Sequence, residues 1–240
     1  MYYRVEDKYL IYEDEIAYLK SRLAQLMKRD PHCPEGGYLI RSVYFDNRWD
    51  SAYSENEAGL DNRVKIRIRS YNNDSSFLKL EEKSKKSGYT HKEDAAIRRE
   101  TVEKLISRGS DSASAALLSS DLLREEGFLS KKLYYRMNSE MLYPVVIVEY
   151  EREAFVDPAG NVRITFDKNV GGSPLVERFF DDNINAVPAL DRGCHILEVK
   201  YDELLPDYIR TLLDEGFLRR TAFSKYYYSR NNMILNGERL

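Results

Sequence analysis

Between Arg63 and Arg69 a cation occupies every second position, and Val64, Ile66 and Ile68 fill the gaps. In a β-strand this alternation sends Arg63, Lys65, Arg67 and Arg69 to one face and the branched apolar side chains to the other. Four like charges projecting in parallel repel one another, so such a strand is stable only where its basic face is fully solvated or meets a polyanion. For one strand alone, the ordinary explanation is the wet side of an antiparallel sheet.

Other segments follow the same rule of parity. Arg4, Glu6 and Lys8 share a face near the start of the chain, and Lys79, Glu81 and Lys83 oppose Leu78 and Leu80. Arg163, Thr165 and Asp167 oppose Val162, Ile164 and Phe166, while Glu198 and Lys200 oppose Leu197, Val199 and Tyr201. Two more strands are expected at Leu39 to Asp46 and Val145 to Phe155; the second does not sort cleanly, because Glu149 and Glu151 fall on the parity opposite to Arg152. Helical spacing of Ile16, Leu19, Leu23, Leu26 and Met27 predicts a helix over Glu13 to Lys28, ended by Asp30-Pro31. Asp111 to Tyr143 reads as one or two helices broken at Gly127, and Glu203 to Glu215 as a shorter helix closed by Gly216. Ser84 to Asp94, polar and basic with a glycine, reads as a mobile loop.

Strands with one charged and one apolar face, interleaved with few helices, predict an α+β fold. The expected architecture is an antiparallel sheet or a closed β-barrel with helices packed on the outside, as a single domain over residues 1–240. Helices covering the apolar faces would force the charged faces inward, where unpaired cations are costly unless an anion joins them. A set of arginines and lysines with a few carboxylates suits a phosphate chain chelated to a divalent metal. Arginine forks bind phosphoryl oxygens in pairs, lysines add point charges, and Glu6, Glu81 and Glu198 would be hard oxygen ligands for Mg²⁺ or Mn²⁺.

Composition removes competing classes. With 37 basic and 40 acidic residues and a net charge of -3, the chain is not a globally basic nucleic-acid coat, and nucleic acid is not an expected partner. The 19 tyrosines suit sheet cores as well as base stacking. His32, His91 and His195 share no ligand spacing and read as structural or surface residues, and no Walker, GxSxG or GxGxxG pattern is present. Cys33 and Cys194 are too few for a disulfide framework, which suits a reducing compartment. With neither a signal-type start nor an apolar run of spanning length, the expectation is a cytoplasmic protein.

Taken in order, Arg4-x-Glu6-x-Lys8-Tyr9, Ser42-Val43-Tyr44-Phe45-Asp46, Lys65-x-Arg67-x-Arg69, Leu80-Glu81-x-Lys83, Tyr150-x-Arg152-x-Ala154-Phe155, Arg163-Ile164-Thr165-Phe166-Asp167, Leu197-Glu198-Val199-Lys200-Tyr201 and Ser224-Lys225-Tyr226 resemble the VTC domain. This is the polyphosphate-polymerase domain of the triphosphate tunnel metalloenzyme superfamily. The resemblance implies a barrel whose tunnel is lined by alternating basic and acidic side chains. It also implies transfer of the γ-phosphoryl group of ATP onto polyphosphate with Mn²⁺ or Mg²⁺. On that resemblance Arg67, Arg69, Lys83, Arg152, Arg163, Lys200 and Lys225 grip the phosphates, and Glu198 leads the metal ligands ahead of Glu81 and Glu6. Lys8 and Lys65 support from neighbouring strand positions, and Lys92 is a further substrate contact. Arg4 stands where the superfamily's Glu-x-Glu-x-Lys pattern has its first glutamate, a departure that suits the VTC branch. The rival readings are a triphosphate or nucleotide hydrolase of the same fold and a non-catalytic polyphosphate sensor.

Overall fold

The computed structural model describes residues 4–87, 89–107, 119–214 and 216–235. Strand β1 (Arg4–Tyr12) runs directly into helix α1 (Glu13–Leu26), followed by β2 (Lys28–Arg29), β3 (Tyr38–Asp46) and α2 (Ser51–Glu57). Three strands come next, β4 (Arg63–Tyr71), β5 (Asp74–Lys86) and β6 (Tyr89–Ile97), then α3 (Arg99–Ile106). A 3-10 turn at Ser119–Arg124 and α4 (Phe128–Ser139) lead to β7 (Tyr143–Asp157) and β8 (Val162–Ser173). The remaining elements are β9 (Val187–Pro188), β10 (Cys194–Asp202), α5 (Asp207–Leu213), β11 (Arg219–Arg220) and α6 (Lys225–Leu235).

The strands form one large sheet in the order β11-β1-β10-β8-β7-β3-β4-β5-β6, with β2 added to β7 and β9 to β8. All the registered pairings are antiparallel. This order has two ends, and among the described residues no pairing joins β11 to β6. Among the described residues the sheet is therefore not closed, and the closed barrel that the resemblance implies is not confirmed. At one end β11 is two residues long, too short to carry a ladder further. Among the described residues no helix is long and apolar enough to cross a membrane.

Contacts divide the chain into two compact units drawn from interleaved segments. The first holds Met1–Leu39, Tyr150–Val170 and Leu190–Phe223, and the second Ile40–Glu149, Gly171–Ala189 and Ser224–Leu240. In the first unit, α1 begins where the backbone N–H of Tyr12 donates to Glu15 Oε2 at 2.8 Å. Acidic Glu13, Asp14 and Glu15 occupy its first turn, which suits the positive end of the helix dipole. Its buried Ile16, Leu19 and Leu23, with Ile209 and Leu212 of α5, join Ile11, Ile164, Phe166, Leu197 and Val199 of the strands in one apolar cluster. In the second unit, Val102, Leu105 and Ile106 of α3 and Leu129, Leu133 and Met137 of α4 join Val43, Phe45, Ile66, Ile68, Leu78 and Leu80. In each unit, then, helices cover the apolar parity of the strands.

Three local expectations change. Residues 84–94 are not a loop but belong mostly to the β5/β6 hairpin, whose register pairs Lys83 with Lys92 and Glu82 with Glu93. Polar side chains on both faces hide the strand period there, and Glu82 replaces apolar packing with contacts to Lys132 (2.6 Å) and Arg136 (3.5 Å) of α4. Of the stretch from Asp111 to Tyr143, residues 111–118 lie outside the described residues. The rest is the 3-10 turn and α4, separated at Gly127 with φ +96°, and β7 has begun by Tyr143. The helix expected over Glu203 to Glu215 is confined to Asp207–Leu213, because Pro206 disfavours helical backbone in the residue before it; Glu215 is outside the described residues.

Candidate functional site

In the first unit, adjacent strands set carboxylates against ammonium groups. The β1/β10 register pairs Glu6 with Lys200 and Lys8 with Glu198, so all four side chains share one face. Lys8 Nζ lies 3.0 Å from Glu6 Oε1 and 3.9 Å from Glu198 Oε2. Lys200 Nζ pairs closely with Glu198 and lies 4.0 Å from Glu6 Oε2. Glu198 is buried at 4% exposure. Burial pushes the Lys200 pKa down, and the attraction of Glu198 and Glu6 only partly offsets it.

The same face continues across β8, where Thr165 stands opposite Glu198 and Arg163 opposite Lys200. Arg163 Nη2 lies 2.8 Å from Asp30 Oδ2 and 3.3 Å from the Tyr38 hydroxyl. Arg152 of β7 donates two hydrogen bonds to Asp167, at 2.5 and 2.7 Å, and its guanidinium lies over the Tyr150 ring. Burial alone would push the Arg152 pKa down; Asp167 more than reverses this and keeps the group charged.

In the second unit the face described by β4 is extended on both sides. Tyr44 and Glu81 flank Arg67, Ser42 and Lys79 flank Arg69, and Lys83 stands between Lys65 and Lys92. Arg67 donates to Glu81 Oε2 at 2.6 Å and to the Tyr44 hydroxyl at 2.8 Å. Arg69 Nη1 is 3.7 Å and Lys92 Nζ 2.8 Å from the same Glu81 carboxylate. Lys65 donates to Ser224 Oγ at 2.8 Å, next to half-buried Lys225 at the start of α6; Lys83 is exposed. Tyr226 stacks on Tyr44 at 5.2 Å and donates to Asp46 at 2.5 Å, which fixes α6 beside this face.

Burial pushes the Glu81 carboxyl up, but Arg67, Arg69 and Lys92 outweigh it and hold the pKa well below the usual carboxylate range. A group depressed in this way stabilises the fold above its unfolded pKa, about 4.3, and loses that contribution as pH falls toward the folded value. In urea unfolding, wild type is expected to exceed Glu81→Gln at about pH 7, with the gap closing below about pH 4. The same gap at about pH 3 would contradict the sign.

Among the described residues no group of three or more His, Cys, Asp and Glu side chains is gathered around one point. Mg²⁺ is commonly held by one or two carboxylates completed by water and substrate phosphates. Glu6 and Glu198 supply two such carboxylates on one face, balanced one for one by Lys8 and Lys200, which pair with them in the absence of a ligand. Glu81 fits poorly, because Arg67, Arg69 and Lys92 already surround its carboxylate.

Glu6, Lys8, Arg152, Arg163, Glu198 and Lys200 thus lie in the first unit, and Lys65, Arg67, Arg69, Glu81, Lys83, Lys92 and Lys225 in the second. Sequence reasoning passed over Tyr44 and Asp46 as partners, although their even parity with Ser42 places all three on the face of Arg67 and Arg69. It also passed over Asp30 and Tyr38, for which no periodic signal exists because they reach Arg163 from β2's exit and the start of β3.

This face pattern accompanies a family match over almost the whole sequence. The profile of the VTC domain matches residues 3–234, so the chain belongs to the VTC domain family. No curated protein gives a match. Solved structures that match this chain include the PH1819 protein of Pyrococcus horikoshii OT3, at 15% identity and TM-score 0.47, covering 99% of this chain and 100% of that one. A protein of Bacillus halodurans provisionally assigned as an adenylate cyclase has 13% identity and TM-score 0.48, covering 88% of this chain and 86% of its own. A similarly assigned protein of Vibrio parahaemolyticus has 12% identity and TM-score 0.47, covering 94% and 97%. At these values the likenesses carry no argument about chemistry.

Proposed function

We propose that this chain transfers the γ-phosphoryl group of ATP onto the terminal phosphate of a polyphosphate chain, with Mn²⁺ or Mg²⁺. The observation that carries the reading is the alternation of Glu6, Lys8, Glu198 and Lys200 on one face beside Arg152 and Arg163. A receptor for a bare anion gains nothing from carboxylates among its cations, whereas a metal-chelated phosphate chain needs both. Membership of the VTC domain family supports the same reading.

In this scheme Lys8, Lys200, Arg152 and Arg163 take phosphoryl oxygens, and Glu198 with Glu6 would hold the metal. The metal, when bound, would neutralise charge on the phosphates and align their oxygens. Arg67, Arg69, Lys65, Lys83, Lys92 and Lys225 bind further phosphates. An oxygen of the acceptor's terminal phosphate forms the new bond to the γ-phosphorus, the bond to the β,γ-bridging oxygen breaks, and ADP leaves. No protein nucleophile is required, because placement and charge stabilisation suffice for phosphoryl transfer.

The test is product analysis of the purified protein incubated with ATP and Mn²⁺ or Mg²⁺. Long phosphate chains with stoichiometric ADP are expected. Release of orthophosphate alone would instead identify a hydrolase, and metal-independent binding without turnover a sensor.

A further inference from the structure

Two polar atoms on the β8 face lie buried without a hydrogen-bond partner in the protein, Arg163 Nε and Thr165 Oγ1. They come from residues two apart on one strand, so both project to the same side, and their cross-strand neighbours are Lys200 and Glu198. Thr165 as a whole is 2% exposed. Leaving a buried N–H and a buried hydroxyl unsatisfied is costly, so two such atoms side by side call for a partner that completes them. Arg163 has its other end fixed by Asp30 and Tyr38, so its Nε–H is held in place rather than free to turn to water.

We infer that Arg163 Nε–H and the Thr165 hydroxyl form a two-donor cradle for one phosphoryl oxygen of the bound triphosphate, which adds Thr165 to the binding residues. The inference rests on the phosphotransfer reading. The hydroxyl is suited to the place beside Glu198. It donates to a phosphate oxygen without adding a charge that would compete with a metal for the carboxylate, as another lysine would. Valine has nearly the shape of threonine and lacks the donor; serine keeps the donor and loses only a methyl group.

The experiment is calorimetric titration of the full chain with tripolyphosphate in the presence of Mg²⁺, beside thermal unfolding of each variant. Thr165→Val is expected to bind about 10- to 100-fold more weakly, the effect of losing one hydrogen bond to a charged group, while Thr165→Ser stays within about threefold of wild type. The melting temperature of Thr165→Val is expected to equal or exceed that of wild type, because a buried unpartnered hydroxyl has been removed. Equal affinity of wild type and Thr165→Val would overturn the cradle and leave the functional reading standing. Equal weakening by valine and serine together with a lowered melting temperature would also overturn it, by making Thr165 a packing residue. Failure of the wild-type chain to bind tripolyphosphate overturns both. If Thr165→Val does not fold, Thr165→Ala carries the same comparison.

Discussion

Glu198→Gln is expected to lower ATP-dependent phosphoryl transfer by a factor of about 10² to 10³, the range seen when one preorganised charge-stabilising group is removed from a site. The substitution keeps size and shape and removes one negative charge from a buried position that contacts Lys200 and Lys8. Its more diagnostic effect is on binding. Without metal, Glu198→Gln should bind tripolyphosphate at least as tightly as wild type, because a carboxylate beside the phosphate has gone. Addition of Mg²⁺ or Mn²⁺ should then fail to improve affinity, whereas it improves that of wild type. If the metal keeps its full effect on binding by the variant, Glu198 is not its ligand. A general collapse of the fold would instead weaken binding both with and without metal.

Arg152→Met is expected to destabilise the protein by about 3 to 5 kcal/mol, because it leaves Asp167 buried at 0% exposure with its bidentate partner removed. For a chain of this size that corresponds to a fall in melting temperature of roughly 10 °C. The double variant Arg152→Met, Asp167→Asn should recover most of the lost stability, since the isolated charge disappears with its partner. It should not recover triphosphate binding, because the guanidinium is still missing. Urea unfolding combined with tripolyphosphate titration separates the two roles. Equal instability of the single and double variants would mean that packing of the Arg152 stem, and not its charge, holds this part of the sheet.

The parity of charged and apolar residues made most of the strands legible, because each apolar set really does meet helices within its own unit. Where parity misled, acids had been placed on the helical side with private cations. Glu149, which refused to sort with Arg152, receives a 2.5 Å contact from buried Arg41, whose guanidinium also donates to the Phe179 carbonyl at 2.9 Å. Glu153 on the same parity is met by Lys20 at 2.6 Å, Arg29 at 2.9 Å and Lys168 at 3.4 Å. Glu82 repeats the arrangement with Lys132 and Arg136. Such pairs are set by residues distant in sequence, so no local period announces them. Helix α6 escaped for a different reason: Tyr226, Tyr227 and Tyr228 are consecutive and show no helical spacing, yet Tyr226 is locked by Asp46, and Tyr227 stacks on Tyr53 at 5.0 Å.

The quartet of Glu6, Lys8, Glu198 and Lys200 sums to no net charge, while Glu81 stands against Arg67, Arg69 and Lys92 with an excess of positive charge. The two faces therefore respond differently to ionic strength. Under the proposed reading, a metal–phosphate complex arriving at the quartet would exchange ion partners inside an already neutral group, which added salt affects little. At the Glu81 face the uncompensated field reaches out over a Debye length of about 8 Å, so under the proposed reading the rate at which phosphate chains are captured is governed there and weakens as salt rises.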